Sequence, residues 1–187
     1  IALSLLKREL IIDGLILSAS AKYPQFLITF QKLIIKIDIF FNGRNKLNNI
    51  MERLTTKRFN SNFKPNRTEF DWVSDDEDSV DNYIEDDLCG FKVTNGLWLD
   101  MVEGIESTFK DENYISDNKN LRILLVAGSK DPVGDNGKGV ERLYAFLKNH
   151  FKYLSLFTFG NGRHEIFSDL NKDRRYKLLI DFFDEEI

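Results

Sequence analysis

The sequence predicts an α/β fold: a mostly parallel sheet, with a block of helices inserted between its first and second strands. Three observations predict it. Short apolar runs lie within "IIDGLILSAS" (11–20), "LRILLVAGSKD" (121–131) and "KYLSLFTFG" (152–160), and each stops at small residues or glycine. Such runs read as strands covered on both faces of a parallel sheet. Helical periodicity separates and follows the last two, so the C-terminal third reads β-α-β-α, whose crossovers place its strands side by side. Residues 24 to 115, by contrast, hold helical segments and no convincing parallel strand.

Each element follows from its own pattern. In "GKGVERLYAFLKNHF", Val140, Leu143, Tyr144 and Leu147 share one helical face. In "NKDRRYKLLIDFFDEEI", Tyr176, Leu179, Ile180 and Phe183 align in the same way. The longest apolar stretch, "PQFLITFQKLIIKIDIFF", carries a polar stripe of Gln25, Thr29, Lys32 and Lys36. With Lys32, Lys36 and Asp38 inside it, it is no membrane span, which needs about 20 nearly uncharged residues. Its wide apolar face suits packing on its own domain, or contact with a lipid-like ligand or membrane surface. "SDDEDSVDNYIEDDL" opens with Ser74 three residues before Glu77, the pattern of a capping box. A further helix is expected over 96–109. Such a block between two parallel strands reads as a lid or substrate domain, or as ordinary crossover helices.

Composition bounds the function. The chain has 187 residues, 42% hydrophobic and 30% charged, with net charge −4, which fits one soluble globular domain and argues against a general nucleic-acid binder. A single cysteine, Cys89, excludes an intrachain disulfide and fits a reducing, cytoplasmic setting; its expected place is the core, as a small hydrophobe. The chain starts without Met inside a helix-like segment, so further sequence is expected upstream.

Polar groups in an open parallel sheet collect beyond the carboxyl ends of the strands. "GSKDPVGD" and "GNGRHEI" both stand there, bringing Asp131 and His164 to one edge. A carboxylate that orients an imidazole makes a general base. Asp135 competes with Asp131 but lies further into its loop. His150, at the end of a helix, reads as a structural cation near the last carbonyls. The glycines of "VGDNGKGVERL" fit no P-loop, since Lys138 is followed by Gly139, and read as a flexible loop. The acids at 75–87 fail the EF-hand pattern, with Val80 where Gly is needed and Asp86 where Glu is needed, and read as a solvated face. No metal-ligand spacing or dinucleotide fingerprint exists, so neither metal nor cofactor is expected. No G-x-S-x-G occurs in the chain.

"LLVAGSKDPVGDNGKGVERLY" and "FGNGRHEIFSDLNKDRRYKLLIDFF" resemble the C-terminal half of an α/β-hydrolase, in the lysophospholipase and monoacylglycerol-lipase-like subgroup also labelled serine aminopeptidase S33. "EFDWVSDDEDSVDNYIEDDLCGFKVTNGLWLDMVEGI" resembles that subgroup's helical lid. The resemblance implies hydrolase core at 1–23, lid at 24–115 and core at 116–187, the last holding the acid and base loops. It implies a catalytic triad of Asp131 and His164 with a serine just upstream of residue 1. It implies a carboxylic ester substrate, such as a lysophospholipid or monoacylglycerol, with transient membrane-surface contact through the lid. Without the serine and the oxyanion hole, the chain by itself is expected to be inactive and to leave a sheet edge open. An aminopeptidase-type serine hydrolase and a non-catalytic α/β module are the other readings. Oligomeric state is not legible.

Overall fold

The computed structural model describes residues 2–8, 10–110 and 120–184. A short α1 (Ala2–Leu5) leads to β1 (Gly14–Ser18), and the sheet is completed by β2 (Arg122–Gly128) and β3 (Tyr153–Phe159), all parallel, with β2 in the centre. The register sets Leu17 against Leu125 and Val126 against Phe157. Side chains alternate across a strand, and β2 uses both faces. Ile123, Leu125 and Ala127 join Leu17 in a core with Val140, Leu143 and Leu147 of α7 (Lys138–Leu147). Leu124 and Val126 meet Ile166 and the Leu178, Leu179 and Phe182 side chains of α8 (Lys172–Asp184) on the other face.

The expectation of strands covered on both faces holds for β2 alone. In β3, half-buried residues alternate with exposed ones such as Tyr153 and Phe157, and β1 is mostly half-buried. Each of these strands has one neighbour among the described residues, so less of its surface is covered.

The face expected of α8 is also corrected. Tyr176, Ile180 and Phe183 are exposed, and of the expected four only Leu179 packs inward. Arg175 fixes the rotation. Its guanidinium is buried in an ion pair with the equally buried Asp169, donates to the Ile166 carbonyl (2.6 Å) and stacks on Phe159. A charge held this way dictates which side of the helix faces in, because an unpaired buried charge is costly.

Between β1 and β2 stand α2 (Gln25–Asn42), α3 (Asn49–Leu54), α4 (Thr56–Asn60), α5 (Glu77–Glu85) and α6 (Asn95–Lys110). Ile28 and Ile35 of α2, Met51, and Leu99 and Val102 of α6 form their own core. Asn48 caps α3 by accepting from the Met51 amide (2.7 Å), and its amide group donates to buried Asn95. The polar stripe of α2 faces α6, where Lys32 and Lys36 reach Glu103 and Glu106. Diametrically opposite the buried Ile28 and Ile35, Phe26, Phe30, Leu33, Ile37, Phe40 and Phe41 are exposed. The expected capping box does not form. Helix α5 begins at Glu77 behind Asp76, while the Ser74 hydroxyl donates to Asp169 and the Ser168 carbonyl. The expected boundary at 115/116 lies outside the described residues.

Candidate active site

The site grows from two loops that cross. At the end of β2, a methyl on Gly128 would overlap the carbonyls of Gly162 and Arg163, so only glycine permits the backbones to lie this close. The Ser129 amide donates to the Phe159 carbonyl and the Lys130 amide to the Gly162 carbonyl, both at 2.9 Å. These bonds set the loop after β2 against the loop after β3.

Asp131 is then buried, 1% exposed. Its Oδ1 accepts from the Val133 amide (2.9 Å), and its carbonyl accepts from Asn136 (2.8 Å). Tyr23, just before α2, donates its hydroxyl to the Val133 carbonyl at 2.9 Å and tethers the same turn. Burial, and then the charge of Asp131, push that hydroxyl up to about 12.

His164 meets Asp131: its Nδ1 lies 3.1 Å from Oδ1. An ionised carboxylate only accepts, so Nδ1 carries a proton, and in the neutral imidazole Nε2 holds the lone pair. No partner for Nε2 occurs among the described residues. The imidazole, whose side chain is 27% exposed, lies 5.5 Å from the Trp72 ring between centroids. It lines a cavity of about 550 Å³ together with Trp72, Phe59, Trp98, Met101 and Ile105. That size and apolar lining suit a small organic ligand. Glu52, Glu69, Lys57 and Lys92 also line it, with charges that balance, while none of the acids at 75–87 does.

The other singled-out residues lie elsewhere. Asp135 pairs with Arg142 at 3.1 Å. His150 stacks on Phe146 with centroids 5.2 Å apart. The glycine-rich segment forms a turn: Gly139 is pressed against the Gly134 carbonyl and Ala21, and Gly137 has φ 91° at the start of α7. Cys89 is half-buried and lines the cavity instead of the core; its thiol, pushed up by burial and then by Asp86, donates to Asp86 Oδ2 at 3.7 Å. Within the acidic segment, Asp75 is tied down, its Oδ1 accepting from the Leu170 amide at 2.9 Å.

Sequence reasoning missed Trp72, Arg163 and the Asp169–Arg175 pair. The His164 amide donates to the Trp72 carbonyl (3.4 Å) and the Glu165 amide to the Val73 carbonyl (2.8 Å), while the Arg163 guanidinium reaches the carbonyls of Asp71 and Ser74. Contacts to backbone carbonyls leave no mark on side-chain patterns, and only the adjacency of Arg163 to His164 could have pointed there.

The family model described as "Serine aminopeptidase, S33" matches residues 1–171. Among solved structures, a thermostable carboxyl esterase from Bacillus coagulans aligns with TM-score 0.74 at 21% identity, covering 92% of this chain and 56% of its own. A lipase in an open form aligns with TM-score 0.78 at 20% identity, covering 98% and 60%. A monoacylglycerol lipase from Paleococcus ferrophilus aligns with TM-score 0.60 at 21% identity, covering 91% and 58%. The three-stranded parallel sheet and its helices are thus part of an α/β-hydrolase fold, and the chain spans between 56% and 60% of these relatives. No curated protein matches the sequence significantly.

Proposed function

The chain belongs to the serine aminopeptidase S33 family, and from that premise we propose that it supplies the acid, the base and the lid of a serine hydrolase cleaving carboxylic esters of monoacyl lipids. The observation that carries this reading is the 3.1 Å contact between His164 Nδ1 and buried Asp131 at the wall of an apolar cavity. In the whole protein a serine contributed by sequence preceding residue 1 attacks the ester carbonyl. His164 Nε2 takes the hydroxyl proton and passes it to the departing alcohol, while Asp131 holds the tautomer and stabilises the imidazolium. Water then attacks the acyl-serine ester, with His164 again taking and returning the proton.

Residues 24–115 serve as the lid, between core segments 1–23 and 116–187. Helix α2 shelters the cavity with Ile28, while its exposed stripe from Phe26 to Phe41 rests transiently on a lipid surface from which the substrate enters. Among the described residues no helix is long and apolar enough to cross a membrane. An ester suits the cavity better than a peptide amine, because the carboxylates of Glu52 and Glu69 in its lining are balanced by Lys57 and Lys92 and the acidic segment at 75–87 adds none. The unpaired thiol of Cys89 supports a cytoplasmic setting.

A fluorophosphonate probe tests the assignment. The whole protein labels on its serine, and His164→Ala abolishes labelling; labelling retained in that variant removes His164 from the role of base.

A further inference from the structure

We infer that Asp169 is a positioning residue for His164, acting through a buried polar latch that joins the base loop to the segment carrying Trp72. The inference rests on the reading of His164 as the base, and its test is independent of that reading. Asp169 is fully buried, and both of its oxygens are engaged. Oδ1 accepts from the Ser74 hydroxyl (3.1 Å) and the Asp75 amide (2.9 Å), both in the 71–76 segment. Oδ2 accepts from the Arg163 amide (3.2 Å), in the base loop, and from the Arg175 guanidinium of α8. One carboxylate therefore holds three separate pieces of chain.

The pieces it joins are those that enclose the imidazole. Arg163, His164 and Glu165 are consecutive, and each donates to a carbonyl within Asp71–Ser74. The Arg163 guanidinium lies over the Phe63 ring, 4.5 Å from its centroid. A second set of bonds runs alongside: Ser79 donates to the Ser168 carbonyl (2.9 Å) and Leu170 to Asp75 (2.9 Å). His164 is thus placed by its own backbone, from behind, while Asp131 and Trp72 contact its ring. Asp169 does not line the cavity and makes no hydrogen bond to the ring, so the bonds that link it to the base are those of the latch. A fully satisfied buried network of this kind gives one arrangement where a loop alone would sample several. The consequence for the imidazole is a fixed distance to Asp131 and a fixed tautomer, since an imidazole free of Asp131 loses the bond that selects Nδ1–H.

The test is the tautomer of His164 in the full chain labelled with ¹⁵N-histidine, where the two histidines give two ring systems and His150 is the internal control. In the wild type His164 is in the Nδ1–H form with a slowly exchanging ring proton. In Arg163→Met, which leaves the Asp169–Arg175 pair in place, the Nε2–H form rises and the ring proton exchanges roughly tenfold faster or more, with His150 unchanged. Asp169→Asn combined with Arg175→Gln removes both buried charges together and gives the same shift. The Asp169→Asn, Arg175→Gln variant folded by circular dichroism with His164 signals unchanged overturns the inference, whatever Arg163→Met gives. If that variant fails to fold, wild-type amide exchange decides: the Asp75, Glu165 and Leu170 amides share one protection factor within about threefold if the latch is a unit, and a spread above about tenfold overturns it. Failure of the whole protein to label with fluorophosphonate while the tautomer responds as described removes the enzymatic reading and leaves the latch standing.

Discussion

Replacing Asp131 by Asn exchanges one oxygen for an amide nitrogen in a position that is 1% exposed. The amide oxygen still accepts from the Val133 backbone at 2.9 Å, so the turn is retained. Oδ2 has no hydrogen-bond partner among the described residues, and the new NH₂ group enters that place without an acceptor. Leaving it unsatisfied costs about 1–3 kcal/mol of stability. The larger loss is electrostatic. An imidazolium 3.1 Å from a carboxylate gains about 5 kcal/mol at an effective dielectric constant of about 20. Every 1.36 kcal/mol lost from the transition state is about tenfold in rate, so the full term is nearly ten-thousandfold. Solvent at the imidazole, 27% exposed, screens part of it, which sets the expected fall in kcat at about 10² to 10⁴. Asp131 does not line the cavity, so KM changes by less than about threefold. The assay is hydrolysis of a short-chain p-nitrophenyl ester by the whole protein, with Asp135→Asn as comparison. That second carboxylate pairs with Arg142 on the surface, and its loss changes kcat less than about twofold. A folded Asp131→Asn enzyme within about threefold of wild-type kcat refutes the electrostatic reasoning, since the amide oxygen keeps the bond to His164 Nδ1 and only the charge is lost.

Leu143→Ala removes a fully buried side chain from the core between α7 and the sheet. The expected destabilisation is about 2–5 kcal/mol, read from urea unfolding. Asp75 is raised above its ordinary value of 3.8 by burial and by Asp169. Its neutral form is therefore favoured by folding, and that stabilisation, present below 3.8, is lost as pH rises through the raised value. Asp75→Asn is accordingly more stable than wild type at pH 7, and the advantage fades as the pH falls from the raised value towards 3.8 and is gone below it, which urea midpoints across that range report. Placing charge on the exposed stripe of α2, with Phe30→Glu and Phe40→Glu together, weakens cosedimentation with neutral phospholipid vesicles by about tenfold or more. Hydrolysis of a water-soluble ester stays within about twofold, because neither residue lines the cavity.

What could be read from the sequence depended on whether each signal was local. The apolar runs around β2 and the polar loops after β2 and β3 are contiguous in the chain, so their order alone brings Asp131 and His164 to one edge, 3.1 Å apart. Helix α2 was legible as a helix, yet its orientation was not. The stripe of Lys32 and Lys36 reads as solvent-facing until Glu103 and Glu106 of α6 stand opposite, more than sixty positions away in sequence. Helix α8 was rotated for the same reason: Arg175 is polar in any periodicity analysis and enters the core only because Asp169 is there to receive it. Trp72 was less legible still, since backbone hydrogen bonds join it to His164 and any residue type can make these. Long-range charge pairing and backbone latching are thus the two physical terms that single-sequence periodicity omits. Both converge on the segment 163–175 that carries the base. A substitution tolerated by pattern, such as Arg175→Leu on a helix whose half-buried Leu178, Leu179 and Phe182 are apolar, leaves Asp169 as a buried unpaired charge. It is therefore expected to cost about 3–5 kcal/mol, as much as a large truncation in the core, although it opens no cavity of that size.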